Sequence, residues 1–318
     1  MKMKKLIAVL SMVSMVAVAA AGCGNGSDEA AADTTETKTE ANTEDTKTEA
    51  NAESGDWDSS SDITIVSRED GSGTRGAFIE LFGIQEEVDG EKVDMTTEEA
   101  QITNSTSVMM TTVAGDEYAI GYVSLGSLDE SVKALKIDGA EATAENVKSG
   151  DYKVSRPFNI ATKKDLDNEV AKDFINYIMS AEGQKVVEDN GYIAVDGAEA
   201  FEGTQPSGKA VVGGSSSVSP VMEKLAEAYK EVNPNAEIEL QTTDSTTGMT
   251  SAIDGSYDIG MASRELKEEE SAELDAKVIA TDGIAVIVNN NNAMDELSSE
   301  QVKAIYTGEA LTWDEVVE

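Results

Sequence analysis

From Asp62 onward the chain alternates two rhythms of apolar residues. Short runs rich in β-branched residues predict strands at Ile63–Ser67, Ala119–Ser124, Ala134–Ile137 and Tyr192–Val195. More follow at Ala210–Gly213, Ala236–Leu240, Asp258–Met261, Lys277–Ala280 and Gly283–Val288. Between these runs the apolar residues fall at helical spacing: Ala77, Phe78, Ile79, Leu81 and Phe82; Val170, Phe174, Ile175 and Ile178; Val221, Met222, Leu225, Tyr229 and Val232. Ser219 is the expected N-cap of the last of these, with Pro220 at its first helical position. Ser298 and Gln301 have the form of a capping box ahead of Val302, Ile305 and Tyr306. Asn104-Ser105-Thr106-Ser107 predicts a further helix start. Alternating strands and helices predict an α/β fold with a largely parallel sheet. The Gly, Pro and Ser residues of Asp196–Lys209 read as a linker between two segments.

The first 61 residues follow neither rhythm. Lys2, Lys4 and Lys5 form a basic start, Leu6 to Ala21 is an apolar run, and Ala20-Ala21-Gly22 precedes Cys23. This is the pattern of a signal peptide over residues 1–23 with a lipoprotein-type cleavage site, Cys23 taking the lipid. This run of 16 residues, apolar but for Ser11 and Ser14, is short for a membrane span. Residues 24–61 are Thr, Glu, Ala, Asp, Asn and Ser with few apolar side chains, which predicts a disordered acidic tether. The expected location is therefore outside the cytoplasm, on the extracellular side or in the periplasm, held at the membrane through Cys23.

Composition removes several chemistries. The 318 residues contain one cysteine and no histidine. A Ser-His-Asp triad, a Cys-His dyad and a histidine-bound zinc are impossible, and neither a cofactor nor a metal is expected. A Gly-x-x-x-x-Gly-Lys-Ser/Thr loop is also missing. The net charge of −38 argues against nucleic acid as a partner. It does not argue against a small anion, because charges beyond about 8 Å are largely screened at physiological salt and local donors decide.

Those local donors are concentrated in three strand-to-helix turns. Ser67-Arg68-Glu69-Asp70-Gly71-Ser72-Gly73-Thr74-Arg75 follows the first strand; Gly213 to Ser219 leads into the Pro220 helix; Thr242 to Gly248 follows Ala236–Leu240. Small residues let backbone N–H groups approach a ligand, a helix N-terminus favours negative charge, and guanidinium forks suit tetrahedral oxyanions. One such turn is equally an ordinary serine-capped helix start. Three in one chain point to anion capture.

With these residues in view the chain resembles the phosphate-binding proteins of phosphate ABC importers. The matching segments are VSREDGSGTRGAF (Val66–Phe78), GSSSVSP (Gly214–Pro220) and DIGMASREL (Asp258–Leu266), with GIAVIVNN (Gly283–Asn290), IYTGEALTW (Ile305–Trp313) and AIGYV (Ala119–Val123) in support. The resemblance implies a two-lobe type II periplasmic-binding-protein-like fold with hinge strands. One lobe would combine 62–155 with 289–318, the other would be 156–288, and the crossings would fall near Val154–Ala161 and Ile284–Asn290. Family members run from the GSSSVSP segment through IYTGEALTW into VSREDGSGTRGAF. Here the second half comes first, so the halves are expected in circularly permuted order, with Glu318 near Asp62. A dimer exchanging halves between neighbouring chains is the competing arrangement.

Residue by residue, the resemblance implies phosphate held by Arg68, Ser72, Gly73, Thr74, Ser216, Ser217 and Ser245. Ser263 stands where better-studied members carry an aspartate that accepts the ligand's proton. Asp70 and Asp244 are candidates for that acceptor role, Asp70 alternatively orienting Arg68; Arg264 is either a second cation at the cleft or a partner of surface carboxylates. The implied function is capture of inorganic phosphate, without catalysis, and its delivery to ABC permease subunits. The alternatives are a binding protein or sensor for another tetrahedral oxyanion, and a phosphate-processing enzyme.

Overall fold

The computed structural model describes residues 57–317. The expected signal peptide, Cys23 and Glu318 lie outside these residues, as does most of the expected tether. The tether boundary is corrected at its far end: Trp57 packs on Tyr118 and Trp313, with ring centroids 6.3 and 5.8 Å away. Ser59 and Ser61 accept hydrogen bonds from the Asp314 and Trp313 N–H groups. The globular part thus takes in Trp57, whose aromatic ring provides apolar area that the preceding residues lack.

A ten-stranded sheet organises the fold. Its path runs Ala236–Thr243, Gly208–Ser215, Ile259–Ala262, Ser155–Lys163, Leu274–Val288, Ala119–Ser124, Thr64–Arg68, Gln101–Thr103, and two short strands, Lys133–Ala134 and Ile193–Ala194, add to the long Leu274–Val288 strand. The pairings at each end of the path are parallel, as the strand-helix alternation predicts. The central pairings are antiparallel, which corrects the expectation of a largely parallel sheet. Two of these three pairings belong to one long strand: the two runs expected at Lys277–Ala280 and Gly283–Val288 are continuous from Leu274 to Val288. It pairs along its first part with Ser155–Lys163 and along its last part with Ala119–Ser124.

Besides a small third cluster of Ala161, Met249, Ala252, Ala262 and Leu274, two large apolar cores flank this pair of crossing strands. One gathers residues from Ile63 to Val154 and from Ile284 to Val316, around Phe78, Tyr122, Tyr306 and Trp313. The other gathers residues from Phe158 to Ala280, around Phe174, Met222, Leu225 and Tyr229. On the return strand the change of core falls between Ala280 and Ile284, earlier than the boundary at 288/289 expected from the resemblance.

Local signals behave as their chemistry requires. The Ser298–Gln301 capping box forms on both sides and opens the helix Ser299–Thr307. Ser105 caps Thr106–Ala114. Ser219 is corrected: it is the first residue of the helix Ser219–Val232, whose N-cap is Val218 without a side-chain bond. The Ser219 hydroxyl instead donates to the Ser215 carbonyl at 3.2 Å.

Candidate functional site

The helix Gly73–Leu81 starts at the end of strand Thr64–Arg68, and Ser72 caps it by accepting the Arg75 N–H at 3.3 Å. An aromatic layer supports this turn from below: Phe78 stacks on Tyr122 at 3.9 Å and meets the Tyr306 edge at 4.7 Å. The Tyr122 hydroxyl accepts the Arg68 N–H at 3.1 Å and bonds the Ser67 hydroxyl at 2.9 Å. Burial pushes Tyr122 up to about 12, so it remains a neutral post. Arg75 is engaged by the turn itself, donating to the Arg68 carbonyl, Asp70 and Asp94.

Arg68 is 3% exposed and forms a fork-to-fork pair with Glu69, both contacts at 2.8 Å. Its Nη2 also donates to the Ser216 hydroxyl at 3.1 Å. That bond joins the first turn to the second across the two cores. Thr74 makes a similar crossing, 2.8 Å from the Ser217 hydroxyl and 3.4 Å from that of Ser263. Ser245 begins the helix Ser245–Asp254 and accepts the Ser263 N–H at 3.1 Å. Ser263 also accepts from Ser215 at 2.9 Å. At Gly73 a Cβ would lie 2.3 Å from the Ser245 Oγ and 2.9 Å from the Ser263 Oγ, so only glycine fits between the turns as they stand.

Arg68, Gly73, Thr74, Ser216, Ser217, Ser245 and Ser263 therefore meet in one buried cluster, while Ser72 is buried in the same turn as the helix cap. Hydroxyls, a guanidinium and helix N-termini all present donors there, which is an environment for an anion rather than for a cation or an apolar molecule.

The carboxylates and Arg264 are placed differently. Asp70 does not orient Arg68: its side chain is 98% exposed and bonds Arg75 at 3.0 Å, while the adjacent Glu69 holds Arg68. Asp244 caps its helix, bonded to the Thr247 N–H and hydroxyl at 2.8 and 2.6 Å. Arg264 forms a fork with Glu270 at 2.7 and 2.8 Å, with both side chains largely buried. Burial pushes the Glu270 carboxyl up, but hydrogen bonds from Arg264 and the Lys267 N–H outweigh it and hold the group below its usual range.

Two site neighbours escaped the sequence reading. Thr106, at the start of its helix, stands 3.4 and 3.3 Å from the Ser216 and Ser217 hydroxyls. Its signal was the Asn104–Ser107 helix start, which taken alone reads as a cap. Arg156, on the crossing strand, donates to Thr74 at 3.1 Å and faces Asp282 at 3.3 Å. It lies 82 residues from Thr74 in sequence, so no local motif announces it. Burial lowers the Arg156 pKa against the raising effect of Asp282, and the charge of Arg68 lowers it further. Burial pushes Asp282 up to about 6 despite that arginine.

Comparison with known proteins matches residues 23–182 and 199–317 to the family model described as PBP superfamily domain. A relative from Streptococcus agalactiae serotype V, named phosphate-binding protein PstS 2, is 60% identical over 260 residues, covering 81% of this chain and 89% of its own. A phosphate-binding protein PstS from Staphylococcus saprophyticus is 40% identical over 111 residues, 32% of this chain and 35% of its own. A crystal structure of the phosphate-binding protein of a phosphate ABC transporter from Streptococcus pneumoniae TIGR4 superposes with a TM-score of 0.65 at 45% identity, covering 80% of this chain and 100% of that one. The chain belongs to the PBP superfamily and, within it, to the family of PstS phosphate-binding proteins.

Proposed function

We propose that the protein captures inorganic phosphate between its two cores and delivers it to the permease of an ABC importer, outside the cytoplasm and held at the membrane through a lipid on Cys23. The observation that carries this reading is the meeting of three strand-to-helix turns: Ser216 accepts from Arg68 Nη2, and Ser245 lies against Gly73 of the Arg68 turn. Hydrogen bonds involving a charged group contribute about 1.5–3 kcal/mol each, and micromolar binding needs about 8 kcal/mol net. Arg68, the hydroxyls and the turn N–H groups reach that after the cost of desolvating the anion. An anion touching both sides also favours the closed arrangement over an open one. No catalytic step is proposed, because the chain has no histidine and, among the described residues, no lysine bonds these hydroxyls.

The test is calorimetry of the purified protein, stripped of anion, titrated with phosphate and then sulfate. Phosphate binding that weakens about 10- to 150-fold in Arg68→Ala is expected. Absence of binding to the unmodified chain overturns the reading. A second reading, a receptor for tetrahedral oxyanions more broadly, is favoured by the hydroxyl of Ser263, which offers a weaker proton acceptor than a carboxylate. Equal affinity for sulfate and phosphate selects it.

We also propose that the halves are permuted relative to the usual family order. The short match to the Staphylococcus protein beside the near-complete Streptococcus match supports this. So does the isolated bridge between Asp62 and Thr312, which sets the two ends of the globular part side by side.

A further inference from the structure

We propose that Arg156 is a ligand-positioning residue of this cleft, acting through the Thr74 hydroxyl and supplying a second fixed cation beside the bound anion. The inference rests on the phosphate reading and adds a residue that the motifs do not contain.

The first argument is the direction of the hydrogen bonds. A guanidinium only donates, so in the 3.1 Å contact between Arg156 Nη2 and Thr74 the threonine oxygen is the acceptor. The single hydrogen of Thr74 is thereby turned away from Arg156, toward the cleft wall where the hydroxyls of Ser217 and Ser263 stand. The same polarity holds around the site. Ser216 accepts from Arg68, Ser245 accepts from the Ser263 N–H, and Ser263 accepts from the Ser215 hydroxyl. Each of these four hydroxyls receives a hydrogen and keeps its own free to give. An oxyanion, rich in lone pairs, is what such a ring takes.

The second argument is charge. Arg68 and Arg264 are each clamped by both oxygens of a carboxylate. Arg156 meets its carboxylate, Asp282, through Nη2 at 3.3 Å, and its buried Nε and Nη1 have no hydrogen-bond partner among the described residues. Its side chain is 2% exposed, so water screens it little. Of these three arginines it is the least neutralised. Arg156 stands on the crossing strand, between Val154 of one core and Phe158 of the other.

The test is a double-mutant cycle on phosphate affinity with Arg156→Met, Thr74→Val and the combined variant, each checked for fold by circular dichroism. Each single change is expected to weaken phosphate at least tenfold. The combined variant should be no more than about twofold worse than the weaker single, because both remove one interaction. Arg156→Lys, which keeps a donor and the charge, should recover most of the loss. If Arg156→Met does not fold because Asp282 is left unpaired, Arg156→Met/Asp282→Asn replaces it in the cycle. Losses that multiply, or an affinity within twofold of the unmodified protein alongside a lowered melting temperature, overturn the proposal in favour of a structural role. If the unmodified protein fails to bind phosphate, the phosphate reading falls, and a ligand-free measurement decides on Arg156. Its side-chain nitrogen resonance should shift on Thr74→Val, and an unmoved resonance overturns the positioning role.

Discussion

Gly73 has no room for a side chain in the cleft. A methyl group there would drive into the Ser245 and Ser263 hydroxyls, both fully buried and both already hydrogen-bonded. The backbone at Gly73 is ordinary helix, so the constraint is purely steric and acts only when the two sides are together. Gly73→Ala is therefore expected to weaken phosphate at least tenfold while lowering the melting temperature by only a few degrees. Calorimetry beside thermal unfolding checks this, and an unchanged affinity would refute the close approach. The neighbouring motif residues divide the work by geometry: Ser72 caps, Arg75 ties the turn to Asp94, and Arg68 turns inward with Glu69 as its counter-ion. Sequence alone offered Asp70 for that last role. In the turn, Asp70 points to solvent and Glu69 lies alongside the guanidinium.

At the scale of elements, helix starts are the recurring device. Ser72, Ser105 and Asp244 each cap a helix whose first turn faces the cleft, so the same residue types that begin helices also build the site. This is why single motifs were ambiguous and their convergence was not. The Ser298 capping box lies away from the cleft and reads as stability alone. Ser298→Ala is expected to cost about 1 kcal/mol in urea unfolding and to leave phosphate affinity unchanged. A loss of affinity would mean that this helix is coupled to closure. The strand Leu274–Val288 shows the limit of local reading. Thr281-Asp282-Gly283 resembles a turn, yet the chain stays extended, paired from Asp282 to Arg156 and from Gly283 to Ser155.

At the scale of the molecule, the crossing strands carry a buried ion pair where the two cores meet. Asp282 faces Arg156 at 3.3 Å and accepts the Gly126 N–H, and burial raises it from 3.8 to about 6. Between these values the folded protein holds a proton that the unfolded chain releases. The contribution of this group to stability is thus full below about pH 4 and is lost as the pH rises through 6. The melting temperature of the unmodified protein relative to Asp282→Asn should rise on going from pH 7.5 to pH 5. A difference that does not change with pH would refute the shift. Comparison with the variant also removes the effect of the net charge of −38, which relaxes on acidification in both. The permuted order makes a second prediction at this scale. Residues 59–63 and 311–314 lie side by side through bonds such as Ile63 N–H to the Leu311 carbonyl. A chain reordered as 208–317, a short linker and then 57–195 should fold and bind phosphate within threefold of the natural order. Failure to fold would count against the permutation.

The sequence by itself determined the elements whose signals are local. Capping boxes, apolar spacing and glycine-rich turns depend on neighbours within a few residues, so the α/β class and the Ser67–Thr74 turn were legible without coordinates. Absence of histidine and the single cysteine likewise excluded whole chemistries at once. Only the tertiary structure decided which turns face one another, which carboxylate holds Arg68, and that Arg156 reaches Thr74. Those facts depend on contacts between residues far apart in the chain, created when the two cores bring their helix starts together, and no short-range pattern encodes them.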